Sequence, residues 1–338
     1  MDKKDIDKVK LLLSLPKKIV IVSHKNPDGD AIGSSLGLYH FLIKLNHDVS
    51  VIMPNDYPDF LKWMPGQDII KNYENNKSLA EVSIEEADLI FTLDFNSLER
   101  AGEMESCLKQ SKATKIMIDH HQQPSDYAAY MYSDVSISST CQMVYHFIHM
   151  LGKVQLIDKH IGTCLYTGIM TDTGSFRFSS TTSTTHKVVA NLIEKGVDNS
   201  EIHRNVYDTN SFNRLQLLGK ALNNLKVIPE LKTAYITLSQ KELNKFKFRK
   251  GDTEGVVNYG LSLKNVVFAA IFIEHKHEGV VKISFRSNGD FSVNEFARTH
   301  FSGGGHTNAA GGRSNLSLQQ TVEKFISILP DYKKDLNK

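Results

Sequence analysis

The chain has 338 residues, 41% hydrophobic and 23% charged, which sets aside a disordered chain and gives length for two domains of roughly 150 residues each. Forty Lys and Arg against 38 Asp and Glu leave a formal charge of only +2, so no global positive field recruits polyanions and a local patch must do so. Three cysteines (Cys107, Cys141, Cys164), none in a CxxC pair, exclude a disulfide framework and a Cys-rich zinc site.

The opening segment MDKKDIDKVKLLLSLPKK lacks the apolar core of a signal peptide, and no apolar run is long enough to span a membrane. A cytoplasmic protein with no membrane partner is the expectation. KKIVIVSH (17–24) then reads as a buried strand, followed by a Gly- and Asp-rich turn and a helix over 31–46. HDVSVIMP (47–54), ADLIFTLDF (87–95) and TKIMIDHH (114–121) are further strands, and 138–151, 160–172 and 184–195 have helical spacing. Strands alternating with helices predict a mostly parallel sheet covered on both faces. Residues 196–228 look helical and polar, a connector without a strand. Beyond it, 231–239, 266–275 and 279–287 read as strands, the last two as an antiparallel hairpin, and 293–301 as a helix. The expected organisation is therefore α/β: a parallel-sheet domain over 1–195, the connector 196–228, and a smaller α+β domain over 229–338.

The chemistry gathers at the ends of the first domain's elements. His24, Asp28 and Asp30 follow the first strand in SHKNPDGDAIG, Asp94 ends another in LDF, and Asp119, His120 and His121 end a third. Asp172 ends a helix in MTDTG. In a parallel sheet the carboxyl ends share one edge, so these groups can converge on one crevice. Clustered carboxylates without cations repel one another. Two divalent ions would balance Asp28, Asp30, Asp94 and Asp172. An oxygen-rich set with His and no Cys favours Mn²⁺ or Mg²⁺, with Fe²⁺, Co²⁺ or catalytic Zn²⁺ also able to bind. Two ions sharing a carboxylate suit in-line displacement at phosphorus. A lone DGD is usually a turn and paired histidines are often surface residues. Four such elements at successive strand or helix ends make the metal reading the stronger one.

In the second domain, GGGHTNAAGG (303–312) places five glycines around His306. Gly303, Gly304 and Gly305 would let the backbone approach an anion and point N–H groups at it, with His306 as an added donor. The plainer reading is a flexible loop between helix and strand. Arg286 in SFRS is the candidate partner, since a guanidinium grips phosphate in a bidentate way; its plainer reading is a surface salt bridge. Three weaker signals remain. KELNKFKFRKG (241–251) interleaves basic and aromatic residues and reads either as a nucleic-acid contact or as a solvated helix with two buried Phe. Arg177 follows Asp172 in a hydroxyl-rich loop. ISST (137–140) is an N-cap or a helix-terminal donor to phosphate.

The ordered set HKNPDGD, LDF, DHH and TDTG resembles the DHH phosphoesterase superfamily, and FSGGGHTNAAG (301–311) resembles the signature of its associated C-terminal domain. The two-domain layout is most similar to the NrnA-type bifunctional oligoribonucleases and 3′,5′-pAp phosphatases. The resemblance implies that His24, Asp28 and Asp94 hold one Mn²⁺ and that Asp30, Asp94, His120 and Asp172 hold a second, with Asp94 as the bridge. It also implies that Asp119 orients an imidazole and that His121, a catalytic residue with Asp94, sits near the substrate phosphate. Spacing alone does not separate His120 from His121. Short RNA oligonucleotides and pAp-type nucleotides are the implied substrates, gripped at their far end by Arg286, Gly303–Gly305 and His306, and a homodimer is left open. The rivals are a phosphodiesterase for cyclic di-AMP or pApA, a RecJ-like exonuclease, a family II pyrophosphatase, whose C-terminal domain is of another type, and a non-catalytic nucleotide sensor.

Overall fold

A computed structural model describes residues 1–337, and the chain divides between Thr209 and Asn210 into two compact units. In the first, six strands form one parallel sheet: β1 (Lys18–Val22), β2 (Asp48–Met53), β3 (Lys71–Asn72), β4 (Leu89–Leu93), β5 (Thr114–Asp119) and β6 (Tyr130–Ser133). Their order is β3-β2-β1-β4-β5-β6, so the winding reverses between β1 and β4. That reversal opens a crevice at the carboxyl ends of the strands.

The uninterrupted apolar runs follow from burial on both faces. Ile19 and Ile21 of β1 pack into one core with Phe91 and Ile116, while Val20 and Val22 pack into the other with Ile90 and Phe95. Helices Gly29–Ile43, Thr140–Met150, Lys159–Asp172 and Ser183–Glu194 contribute to the first core, close to the ranges expected from sequence. Helices Lys77–Glu85 and Glu105–Gln110 contribute to the second and were not anticipated. Close packing of Gly29–Ile43 on Lys159–Asp172 needs glycine. A Cβ at Gly33 would come within 2.6 Å of the Cys164 carbonyl oxygen, and one at Gly168 within 3.0 Å of the Asp30 Cα.

The second unit holds β7 (Lys226–Ile228), β8 (Thr233–Leu238), β9 (Phe268–His275), β10 (Val280–Ser287), β11 (Gly304–His306) and β12 (Ala309–Ser314), in the order β11-β12-β10-β9-β8-β7. The β8–β9 pair is parallel and the others are antiparallel. Phe268, Phe272 and Phe285 face a core completed by Phe296, Phe301 and Phe325, while Ile271 and Ile273 face a second core with Leu217 and Leu243. Residues 196–228 do not form a separate connector. Helix Asn199–Tyr207 buries Ile202 and Val206 in the first unit, and helix Phe212–Asn223 buries Leu217 and Ala221 in the second. Their buried stripes are short, which is why the segment reads as polar. Among the described residues no helix is long and apolar enough to cross a membrane.

One cap in the second unit gives a stability test. Glu242 accepts from the Ser239 N–H and hydroxyl, both at 2.8 Å, from Asn224 Nδ2 at 3.1 Å, and pairs with Lys220 Nζ at 3.3 Å. Burial opposes its charge, but these donors outweigh burial and hold the carboxyl down at about 2 against an ordinary 4.5. Because the folded pKa is depressed, this stabilisation is fully present above pH 4.5 and is lost as pH falls toward 2. Glu242→Gln is therefore expected to cost about 1–2 kcal/mol at neutral pH. Denaturant titrations of both chains at pH 7 and pH 3 should show the difference shrinking at the lower pH.

Candidate metal centre

β1 ends one residue before Ser23, and His24 follows at the crevice. Its Nδ1 faces the Lys25 carbonyl at 3.0 Å, which leaves Nε2 3.3 Å from Asp94 Oδ2 and 4.0 Å from Asp28 Oδ2. Asp28 serves two purposes. Its Oδ1 caps helix Gly29–Ile43 by accepting the N–H groups of Asp30 and Ala31 at 3.0 and 3.1 Å, and its Oδ2 remains toward His24. The loop between them is fixed by Asn26, whose N–H donates to Asn55 Oδ1 at 2.7 Å while Asn55 Nδ2 donates back to Asn26 Oδ1 at 3.0 Å. Asn55, beyond the end of β2, gave no signal in the sequence.

Asp94 lies just past β4. Its N–H extends the pairing with β5 by donating to the Ile118 carbonyl at 3.1 Å, and its φ of 65° then turns the chain in the left-handed region. Such a conformation is unusual for a side chain with a Cβ and costs on the order of 1 kcal/mol, typical of strain kept at functional sites. The carboxylate is buried at 2% exposure, and its two oxygens face different partners. Oδ2 faces His24, whereas Oδ1 lies 3.5 Å from His120 Nε2 and accepts the Thr140 hydroxyl at 3.0 Å.

His120 Nδ1 faces the Ile137 carbonyl at 3.1 Å, so Nε2 points into a second cluster, 3.4 Å from Asp172 Oδ2 and 3.8 Å from Asp30 Oδ2. Asp30 is fully buried and is held at the start of helix Thr140–Met150. Its Oδ2 accepts the Thr140 N–H at 2.6 Å and its Oδ1 the Cys141 N–H at 2.8 Å. The ISST segment is thus an N-cap, with Ser139 closing the helix, and its two free N–H groups serve Asp30 rather than a phosphate. The first three-donor group is His24, Asp28 and Asp94, and the second is Asp30, His120 and Asp172.

The neighbouring histidine is held differently. His121 Nδ1 lies 2.7 Å from Asp119 Oδ1, and Asp119 is completely buried at the end of β5. Asp94, Asp119 and His121 form a third three-donor group, but the Asp119–His121 hydrogen bond occupies one oxygen and one ring nitrogen of it. Backbone carbonyls thus orient His24 and His120, and a carboxylate orients His121.

The charges are strongly interdependent. Burial, then the nearby charges of Asp94 and Asp172, push Asp30 well above the usual carboxylate range. Burial opposes ionisation of Asp94 too, but His120 and His24 override it and hold that carboxyl well below the range. Burial works against protonation of His120 and His24, yet Asp94 outweighs it and raises both. Asp119 rises to about 6 through burial and the charge of Asp94. Burial and the Arg100 cation hold His121 well below its ordinary value. Carboxylates that repel one another and favour positive charge on the neighbouring imidazoles make a donor set suited to cations.

In the second unit the glycine segment is a hairpin rather than a flexible loop. β11 pairs with β12 through Gly304–Gly311, Gly305–Ala310 and His306–Ala309. A Cβ at Gly303 would run into the Gly311 carbonyl, and Gly305 has a φ of +154°, so backbone proximity accounts for both glycines. Their N–H groups are not free for an anion. Gly303 donates to the Ala297 carbonyl at 3.2 Å and Gly305 to Asn294 Oδ1 at 2.9 Å. Asn294 is buried and also accepts Arg298 Nε at 3.1 Å. Neither residue was singled out from sequence, because both act through a helix that reads as ordinary core. Arg286 lies opposite Ala309 on β12, which lies opposite His306 on β11, so the two candidate residues share one cross-strand row with a small residue between them.

The weaker signals resolve toward structure. Phe246 and Phe248 pack against the core around Leu243, so 241–251 offers no free aromatic platform. Arg177 Nε donates back to the Gly174 carbonyl at 2.8 Å.

The DHH family N-terminal domain matches residues 18–169 and the DHHA1 domain matches residues 231–335. The bifunctional oligoribonuclease and PAP phosphatase NrnA of Thermus thermophilus is 31% identical over 318 residues, spanning 94% of this chain and 90% of that protein. The chain belongs to the DHH family. An exopolyphosphatase-related protein from Bacteroides fragilis shares 44% identity and superposes with a TM-score of 0.95, covering all of this DHH chain and 98% of that one. RecJ from Thermus thermophilus, solved in complex with Mn²⁺, shares the fold at 14% identity and a TM-score of 0.54, covering 98% of this chain and 55% of RecJ. This DHH chain is accordingly a phosphoesterase-type hydrolase with acidic and histidine clusters able to hold metal.

Proposed function

We propose that the protein is a Mn²⁺-dependent phosphoesterase that degrades very short RNA oligonucleotides to nucleoside 5′-monophosphates and dephosphorylates 3′,5′-pAp to AMP in the cytoplasm. The observation that carries this reading is the division of Asp94, with one buried oxygen toward His24 and the other toward His120. His24, Asp28 and Asp94 would hold one ion, and Asp30, Asp94, His120 and Asp172 the other. The donor set fits hard divalent cations: carboxylate oxygens dominate, no sulfur is present, and each histidine has its Nδ1 on a backbone carbonyl and Nε2 inward. When bound, the pair supplies positive charge that polarises a phosphoryl group and makes water a competent nucleophile.

The chain's own residues do the rest. The Thr140 hydroxyl fixes one Asp94 oxygen, and the amino end of helix Thr140–Met150 fixes Asp30. Asp119 accepts the Nδ1–H of His121, so His121 Nε2 is the atom that exchanges a proton with the leaving oxygen. Arg286 and His306, aligned across Ala309, are assigned the grip on a substrate phosphate, with Gly303–Gly305 shaping the hairpin beside them. The likeness to NrnA over most of both chains supports the substrate class. Complete donor sets count against a non-catalytic sensor.

The test is an initial-rate panel with Mn²⁺ on RNAs of two to five nucleotides, a 20-mer, pAp, pApA and cyclic di-AMP, with products identified by mass. Short RNAs and pAp should turn over fastest, and the 20-mer should lag. Turnover of cyclic di-AMP or pApA alone would replace this substrate assignment with second-messenger hydrolysis.

A further inference from the structure

Arg100 lies outside both donor sets, in the 3-10 segment Leu98–Met104 that follows β4. Its carbonyl accepts the Lys25 N–H at 2.7 Å, and Lys25 is the residue whose own carbonyl faces His24 Nδ1. The Arg100 backbone is thereby tied to the loop carrying His24, at the carboxyl edge shared by β1 and β4. The side chain is half-buried, yet among the described residues its guanidinium makes no hydrogen bond or ion pair. The carboxylates of the centre face other groups. Asp94 is turned to His24 and His120, and Asp119 Oδ1 to His121. The 2.7 Å bond to Lys25 sets Arg100 against the residue that follows His24, and its partial burial keeps it beside the centre rather than out in solvent.

A half-buried guanidinium with none of its N–H donors hydrogen-bonded is costly to keep. The anion that fits is tetrahedral and multiply charged, because the guanidinium presents a planar fork of donors that matches phosphate oxygens two at a time. We propose that Arg100 binds the non-bridging oxygens of the phosphoryl group that is cleaved, a contact that neither the metal donors nor the second unit supplies. This rests on the phosphoesterase reading above. Charge accumulates on those oxygens during displacement, so the contact strengthens toward the transition state.

The experiment compares full-length wild type, Arg100→Ala and Arg100→Lys, each loaded with Mn²⁺. Calorimetry gives the affinities for AMP and for inorganic phosphate, a parallel titration gives the affinity for Mn²⁺, and kinetics on pAp give kcat and KM. Arg100→Ala should bind AMP and phosphate about 10–100-fold more weakly, with kcat falling further than KM rises, and Arg100→Lys should fall between. Removing a cation beside the metals should leave Mn²⁺ affinity unchanged or slightly higher, the opposite direction from the anion. Unchanged anion affinity overturns the assignment. So does a wild type that binds neither anion, and so does a parallel loss of Mn²⁺ affinity, which marks a collapsed centre. Wild-type hydrolysis judges the functional reading separately: a chain that cleaves no phosphoester but loses AMP binding in Arg100→Ala refutes the activity and keeps the anion site.

Discussion

Asp94→Asn is expected to lower phosphoester hydrolysis on the order of 10³-fold while the protein stays folded. The amide keeps the shape of the carboxylate and one acceptor oxygen, so either the Thr140 hydroxyl bond or the approach to His24 can persist. It cannot present an anionic oxygen to both clusters at once. Mn²⁺ titration of the variant should therefore show weakened binding at both positions, with far-UV circular dichroism unchanged. Asp28→Asn should weaken one position and leave the other, because Asp28 belongs to the donor group of His24 and Asp94 and not to that of Asp30, His120 and Asp172. Equal hydrolysis by wild type and Asp94→Asn would remove the shared-carboxylate mechanism.

His120→Ala and His121→Ala should part company although the residues are adjacent. His120 Nε2 faces Asp30, Asp94 and Asp172, so its removal should cost Mn²⁺ affinity first and activity in consequence. His121 is held by Asp119 through Nδ1 and belongs to neither proposed ion position. His121→Ala should keep Mn²⁺ affinity within about twofold and lose roughly 10²–10³-fold in kcat, the range for a positioned proton donor or acceptor. Asp119→Asn should give a smaller loss in kcat, because the imidazole remains but its orientation loosens. A His121→Ala chain that loses Mn²⁺ as badly as His120→Ala would instead make His121 a ligand.

The difference between these two histidines also shows what the sequence could and could not display. Every candidate ligand was legible because each sits in a short polar motif directly after an apolar strand or helix, and a parallel sheet sends those ends to one edge. The roles of His120 and His121 were not legible, because they depend on whether a ring nitrogen meets the Ile137 carbonyl or the Asp119 carboxylate. Thr140 was visible only as part of a possible cap. Its contacts with Asp94 and Asp30 join residues 46 and 110 positions apart, which no local pattern encodes. Arg100 and Asn55 are silent for the same reason.

The long strands and most helices of the first unit read directly from their periodicity. The edge strands β3 and β6 did not, because two and four residues carry too little pattern to register. The glycine cluster misled in a specific way. Five glycines suggest an anion cradle, but Gly303 and Gly305 are explained by the closeness of β12 and by a left-handed backbone, and their N–H groups are spent inside the unit. What remains to recommend the segment as a binding surface is the row from Arg286 through Ala309 to His306, and that row depends on strand register.

The most direct measurement is a Mn²⁺ titration of metal-stripped protein, with bound ion per chain and phosphate release from pAp followed in the same samples. Two ions per chain, with hydrolysis appearing as the second binds and vanishing on chelation, is the predicted result. Hydrolysis that survives complete removal of metal, or full occupancy of both positions with no phosphoester of the panel cleaved, would contradict it.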